Sequence, residues 1–302
     1  MNEPLTAAPA RTGPLPFSRL LDEAMRRARR HIRAMYLPVA LPLALLAAVA
    51  GVVQTLGMQR LLREAAGAAE PPTFSFATIL PGLALGLMVA LSLIALQKAA
   101  VDALLERPID MKEAWRFALR PRVIGTFVLQ GLAILAATLA CVVPALYVIP
   151  LVSLVPTIMV VEGLFGGNAL SRSAALTRYN PGGSFSTSPL LKALGLMLVT
   201  AMISYSATAI VTLPFQIPMM IGMFREIATG QEPTATMTKF FWYQVPVQVL
   251  QTGVTVAVYT FASFGYALLF FDLKNRKEGS DLAAEIDAVF GTPQPPAGDL
   301  PS

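Results

Sequence analysis

Only one cysteine, Cys141, and one histidine, His31, occur in the chain. A lone cysteine excludes a disulfide within the chain, and the pair excludes a His/Cys metal cluster. Charge is scarce as well: 14 % of residues are Asp, Glu, Lys or Arg, against about a quarter in soluble globular domains. The sequence has no Walker loop, no dinucleotide-binding glycine fingerprint and no histidine-based triad. Gly166-Gly167 and Gly182-Gly183 read as turn punctuation, and Ser184 to Ser188 as a serine-rich loop. Acid–base pairs suited to proton transfer are missing. The expectation is therefore a non-enzyme without catalytic residues, cofactor or metal.

What is present is apolar. Hydrophobic residues make up 55 % of the chain, and they fall in long uncharged runs. A helix needs about 20 apolar residues to cross a bilayer. Met35 to Gly57 and Thr73 to Gln97 each supply one span. Val123 to Val161 is 39 residues without a charge, which suits two spans joined by a tight turn near Cys141 to Pro144. Ala193 to Phe224 and Phe240 to Phe271 supply the fifth and sixth. Ala48-Val49-Ala50 mimics a signal cleavage site, but 34 residues precede the apolar run, so that run reads as a retained span. The expected fold is all-α: a polytopic membrane bundle of six transmembrane helices in three hairpins. Every expected span lacks Asp, Glu, His, Lys and Arg, which argues against a proton relay. Gln130, Tyr147, Ser153, Thr157, Tyr205, Gln248 and Gln251 are the polar groups left to bridge helices.

The net charge of +5 is unevenly placed. Lys and Arg mark cytoplasmic loops. With the amino terminus inside, 19 of the 23 basic residues lie inside, and only Arg60, Arg63, Arg225 and Lys239 lie outside. An even number of spans then puts both termini in the cytoplasm, in a bacterial inner membrane. Membrane topology accounts for this basic excess, so nucleic acid is not an expected partner.

The cytoplasmic segments share a design. Phe17, Leu20, Leu21, Ala24, Met25, Ala28 and Ile32 recur at helical spacing, with Asp22, Glu23, Arg26, Arg27, Arg29, Arg30 and Arg33 filling the other side. This is a basic amphipathic helix, expected to lie along the inner leaflet with its stripe among acyl chains and its arginines near anionic headgroups. Before span three, Asp110 and Glu113 make a capping box; Met111, Ala114, Trp115 and Ala118 form the stripe, with Lys112, Arg116 and Arg120 opposite. A weaker version follows span four, with Asn168 as cap and Ala169, Leu170, Arg172, Ala174 and Arg178 behind it. The three segments are either true repeats, each an interfacial helix plus a hairpin, or coincident basic loops. Within span four, Pro144, Pro150 and Pro156 each remove a backbone donor. That helix either lines a site or is a kinked structural element.

Two stretches carry a resemblance. One is Val161-Glu162-Gly163, followed by Ala169-Leu170-Ser171-Arg172-Ser173 and Leu176-Thr177-Arg178. The other is Phe270-Phe271-Asp272-Leu273-Lys274-Asn275-Arg276-Lys277-Glu278-Gly279, followed by Asp281-Leu282. Over residues 17–290 the chain resembles the membrane domain attached to some glycerophosphoryl diester phosphodiesterases, and its stand-alone bacterial relatives. In that family the hydrolase chemistry belongs to a separate soluble domain that is not seen here. The resemblance implies a six-span module without that activity. Phe271 stands where the pattern has tyrosine, and Pro181-Gly182-Gly183 interrupts the link into span five.

By this reading residues 1–16 and 291–302 are disordered tails, and 17–34 form the interfacial helix. The six-span domain covers 35–272, and 273–290 form a cytoplasmic segment whose Asp281 to Phe290 is a short helix. Glu162 and Asp272 close spans four and six at the level of Arg172, Arg276 and Lys277. These charges either pin helix ends together or bind a headgroup, the arginines taking phosphate and an acid taking an amine. The expected function is a non-catalytic module that organises membrane lipids, anionic ones above all, or a protein partner at the cytoplasmic face. The alternative is a permease-like subunit that moves a lipid or small amphiphile through a groove between hairpins.

Overall fold

The computed structural model describes residues 15–67, 76–179, 188–230 and 234–290, and these are helical throughout apart from short links. The tails and the Pro181 to Thr187 stretch lie outside the described residues. Among the described residues nine helices follow in order: α1 (Phe17–Gly67), α2 (Phe76–Leu104), α3 (Met111–Ala118), α4 (Pro121–Ala140), α5 (Val142–Val152), α6 (Val155–Val161), α7 (Gly167–Arg178), α8 (Pro189–Ala228) and α9 (Thr234–Phe290). Six stretches among these residues are long and apolar enough to cross a membrane: Phe17–Arg60, Leu80–Leu104, Pro121–Ala140, Val143–Val161, Pro189–Ala228 and Phe240–Gly279.

Local chemistry sets the helix boundaries. Pro121 and Pro189 open α4 and α8, where a missing N–H removes no helical bond. Asp110 caps α3, its carboxylate accepting from the N–H groups of Lys112 at 2.8 Å and Glu113 at 3.2 Å. The link between α4 and α5 is the single extended residue Cys141, so the turn falls at the start of the expected stretch. Gly166 caps α7 with φ +62°, a conformation that costs a side-chain-bearing residue energy. Asn168, the expected cap, sits inside the first turn, because Gly166 adopts the left-handed geometry more easily.

Span four is two helices. Ser153 and Leu154 separate α5 from α6. Pro156 has no N–H for the carbonyl of Val152, and Gln130 of α4 donates to that oxygen instead at 2.9 Å. The hydroxyl of Ser173 on α7 donates to the neighbouring carbonyl of Leu151. Both of these donors come from adjacent helices, so the break is a packed joint that seats α7.

Several junctions expected from sequence are absent. Helix α1 continues unbroken from the amphipathic stretch 17–34 into the first span, through Pro38 and Pro42. Helix α9 likewise runs on through 273–290, so Asp281 to Phe290 is its last part and not a separate helix. The stripes also face protein rather than acyl chains. Leu20, Ala24 and Ala28 of α1, Ala114, Phe117 and Ala118 of α3, and Ala169, Ser173, Leu176 and Thr177 of α7 are buried. The apolar ones among them join Met35, Val39, Leu43, Ile94, Leu96, Ile158, Leu196, Phe264 and Phe270 in one core. His31 stacks on Phe264 with ring centroids 5.9 Å apart. Sequence spacing shows that a stripe exists, but not which apolar neighbour covers it.

Consecutive spans touch in each expected hairpin, yet the most extensive pairing joins the two ends of the chain, α1 with α9. Glycine permits the close approach. A Cβ on Gly51 of α1 would lie 3.3 Å from the Val245 backbone of α9, and one on Gly253 of α9 would lie 2.8 Å from the Tyr36 hydroxyl. Helices α4 and α8 are peripheral. Val128, Leu132 and Leu139 on α4 and Met202, Ile210 and Ile217 on α8 are exposed, a surface suited to lipid tails.

Candidate functional site

The links α2–α3, α6–α7 and the start of α8 meet the start of α1 and the far part of α9 at one end of the bundle, and charged side chains join them. Their apolar helices bury the stems, so the charges fall at the edge of the core. Three clusters result.

In the first, Arg172 of α7 grips Glu162 in a two-pronged contact, Nε to Oε2 at 3.0 Å and Nη2 to Oε1 at 2.9 Å. Its Nη2 also donates to Glu278 of α9 at 2.6 Å, and Lys274 lies 3.5 Å from Glu162. Burial pushes the Glu162 carboxyl up. The Arg172 hydrogen bond and charge, with the Lys274 charge, outweigh that effect and hold it below the ordinary glutamate range. The hydrogen bond from Glu162 raises Arg172 further against burial, with Glu278 adding to it. Both ions stay charged across physiological pH.

In the second, Asp272 of α9 lies 3.6 Å from Lys192 of α8 and 2.8 Å from Arg276 one turn on. The same two helices hold the chain just before α1: the Leu15 N–H donates to Asp272 Oδ1 at 3.1 Å, and Lys192 Nζ donates to the Leu15 carbonyl at 2.7 Å. Phe17 follows, its ring filling the space above Gly195 that a Cβ would occupy. The side chains of Lys192 and Asp272 are 6 % and 5 % exposed. At that depth an ion without its partner is costly. In the third, Lys98 bridges Asp102 at 2.6 Å and Glu113 of α3 at 3.4 Å. Glu113 therefore ties α3 to α2, beside the cap that Asp110 supplies.

Of the residues expected to share a site, Glu162 meets Arg172 and Asp272 meets Arg276, in two separate clusters. Lys277 sits elsewhere, its Nζ 6.0 Å over the Tyr179 ring. Lys98, Asp102, Lys192, Lys274 and Glu278 were not singled out as site residues from sequence. Three i,i+4 pairs (Lys98–Asp102, Asp272–Arg276 and Lys274–Glu278) were a readable signal; the tie from Lys192 to Leu15 had none.

The surface arginines point the other way. With the α1 stripe buried, Arg26, Arg29, Arg30 and Arg33 are exposed and Arg27 is half-buried, bonded to Glu23 at 2.7 Å. Arg116 and Arg120 extend this face from α3, Arg120 lying 5.4 Å above the Phe117 ring. Farther into the bundle, uncharged groups join the spans: Gln97 Nε2 donates to Thr157 Oγ1 at 2.8 Å and to the Ser263 carbonyl at 3.2 Å. The end of the bundle thus combines ion pairs that fasten helices with exposed cations along α1 and α3. No protein-family model matches the chain, and no curated protein or solved structure matches it either.

Proposed function

We propose that this chain is a non-catalytic, multi-pass module of a bacterial inner membrane that gathers anionic lipids at its cytoplasmic end and offers the same face to a protein partner. One observation carries the reading. The apolar stripe of α1 is buried in the bundle while Arg26, Arg29, Arg30 and Arg33 remain exposed. Docking the stripe on protein fixes the row of arginines before any lipid arrives, so ordering costs less on binding. Each basic residue near an anionic surface contributes about 1 kcal/mol. Glu162, Arg172, Asp272, Arg276 and Lys277 then act as fasteners and not as a headgroup pocket, since four of these five are engaged in short ion pairs. The resemblance to the membrane domain of glycerophosphoryl diester phosphodiesterases fits a module of this kind. Placement of both termini in the cytoplasm follows from the basic excess at this end.

The test is native mass spectrometry of lipids retained by the chain from mixed phosphatidylglycerol and phosphatidylethanolamine. The expected result is enrichment of phosphatidylglycerol, reduced severalfold when Arg26, Arg27, Arg29 and Arg30 are all changed to Gln. Unchanged retention would remove the electrostatic basis of the reading. The permease alternative is disfavoured by the bonds from Gln97, which tie spans two, four and six at the centre of the bundle.

A further inference from the structure

A second polar region lies at the opposite end. Between α8 and α9 a shallow open cleft is lined by Thr212 and Gln216 on one side and Gln244 and Gln251 on the other, with the rings of Phe215 and Tyr243 beside them. Its depth can be measured from the ion pair that joins these helices. Thr212 is 20 residues along α8 from Lys192, and Gln251 is 21 residues back along α9 from Asp272. At 1.5 Å per residue both lie about 30 Å from that pair. This is the thickness of the hydrocarbon layer, so the cleft opens at the far headgroup level.

The chemistry of the lining is specific. It has amides, a hydroxyl and aromatic faces, and no formal charge. Amides both donate and accept, so they suit a ligand rich in hydroxyl groups and give no advantage to an anion. Aromatic rings offer apolar faces for the C–H side of a sugar.

We infer that this cleft binds a neutral polyhydroxyl group of the sugar class, carried on a glycolipid of the far leaflet or free in solution. The site is independent of the arginine face. The test uses Trp242, which is 47 % exposed and adjoins Tyr243, as reporter in proteoliposomes of a Trp115→Phe chain, which leaves one tryptophan. Monoglucosyl diacylglycerol should shift Trp242 emission saturably, and diacylglycerol of the same chains should not. Gln216→Leu and Gln251→Leu should each weaken the response about tenfold, the scale of one lost hydrogen bond to a ligand, whereas Tyr205→Phe on the same helix should not. Leucine suits a lipid-facing helix, and an unchanged thermal transition certifies that each variant is folded. Displacement by methyl glucoside identifies the free sugar as sufficient; a response to the glucolipid that methyl glucoside does not displace identifies the lipid-borne source. Equal responses to glucosylated and bare diacylglycerol, or variants that respond like the parent, overturn the inference.

Discussion

The two ends of the bundle solve opposite problems. At the charged end, α1, α7, α8 and α9 bury Leu20, Leu176, Leu196 and Phe270 completely, and every acid in the three clusters has a cation within 4 Å. At the other end α8 stands largely apart from the bundle, with Ile217, Met220, Ile221 and Phe224 exposed. The polar groups that line its cleft are amides and hydroxyls. Packing and charge pairing make the first end a rigid platform. Prolines and uncharged hydrogen-bonding groups make the second adaptable. Substitutions of similar size should therefore cost far more in the packed helix contacts than on the exposed face of α8.

The largest effect is expected at Asp272. Asp272→Asn leaves Lys192 facing Arg276 without a counter-charge and weakens the hold on Leu15. A loss of about 3–5 kcal/mol, read as a fall in thermal stability in detergent, is the expected outcome, with a smaller loss in the paired variant Lys192→Met with Asp272→Leu. Next comes Gly51→Ala, where the new methyl meets Gln248 Oε1 at 2.7 Å and the Val245 backbone at 3.3 Å. The expected cost is about 1–3 kcal/mol, and a neutral result would mean that α1 and α9 do not cross there. Gln130→Leu leaves the Val152 carbonyl bare at the span-four joint and should cost about 1–3 kcal/mol. The same change at Gln251, beside the cleft, should leave stability nearly unaltered. The smallest effect belongs to Met202→Ala on the exposed face of α8, within about 0.5 kcal/mol.

Acid sharpens the same contrast. Glu162 has a folded-state pKa below its ordinary value of 4.5. Its contribution is therefore present in full above that value and is lost as pH falls through the folded-state pKa. A pH series of thermal transitions should show stability falling below about pH 4.5, and Glu162→Gln should flatten that part of the curve.

The helical class and the six apolar runs were legible because uncharged stretches of bilayer length admit few other structures. The charge pairs at Glu162 and Asp272 were legible in part, since both acids close apolar runs near arginines. Three features were not. The continuity of α1 across residue 34 depends on the bundle, which covers Leu20 and Ala24 and removes any reason for the chain to turn along the membrane surface. The cap of α7 depends on a left-handed Gly166, which competes with Asn168 on equal terms in sequence. The cleft depends on which faces of α8 and α9 meet, and Gln216, Gln244 and Gln251 gain their meaning only from that approach.

The central claim is that the fastened, arginine-rich end faces the cytoplasm and the cleft end faces outward. The native cysteine allows a direct test, because Cys141 is exposed at the link between α4 and α5, one span away from the charge clusters. A membrane-impermeant maleimide added to intact spheroplasts should label Cys141, whereas in a Cys141→Ser chain carrying Arg29→Cys it should react only after the membrane is opened. Labelling of Arg29→Cys in sealed spheroplasts, with Cys141 protected, would contradict the account.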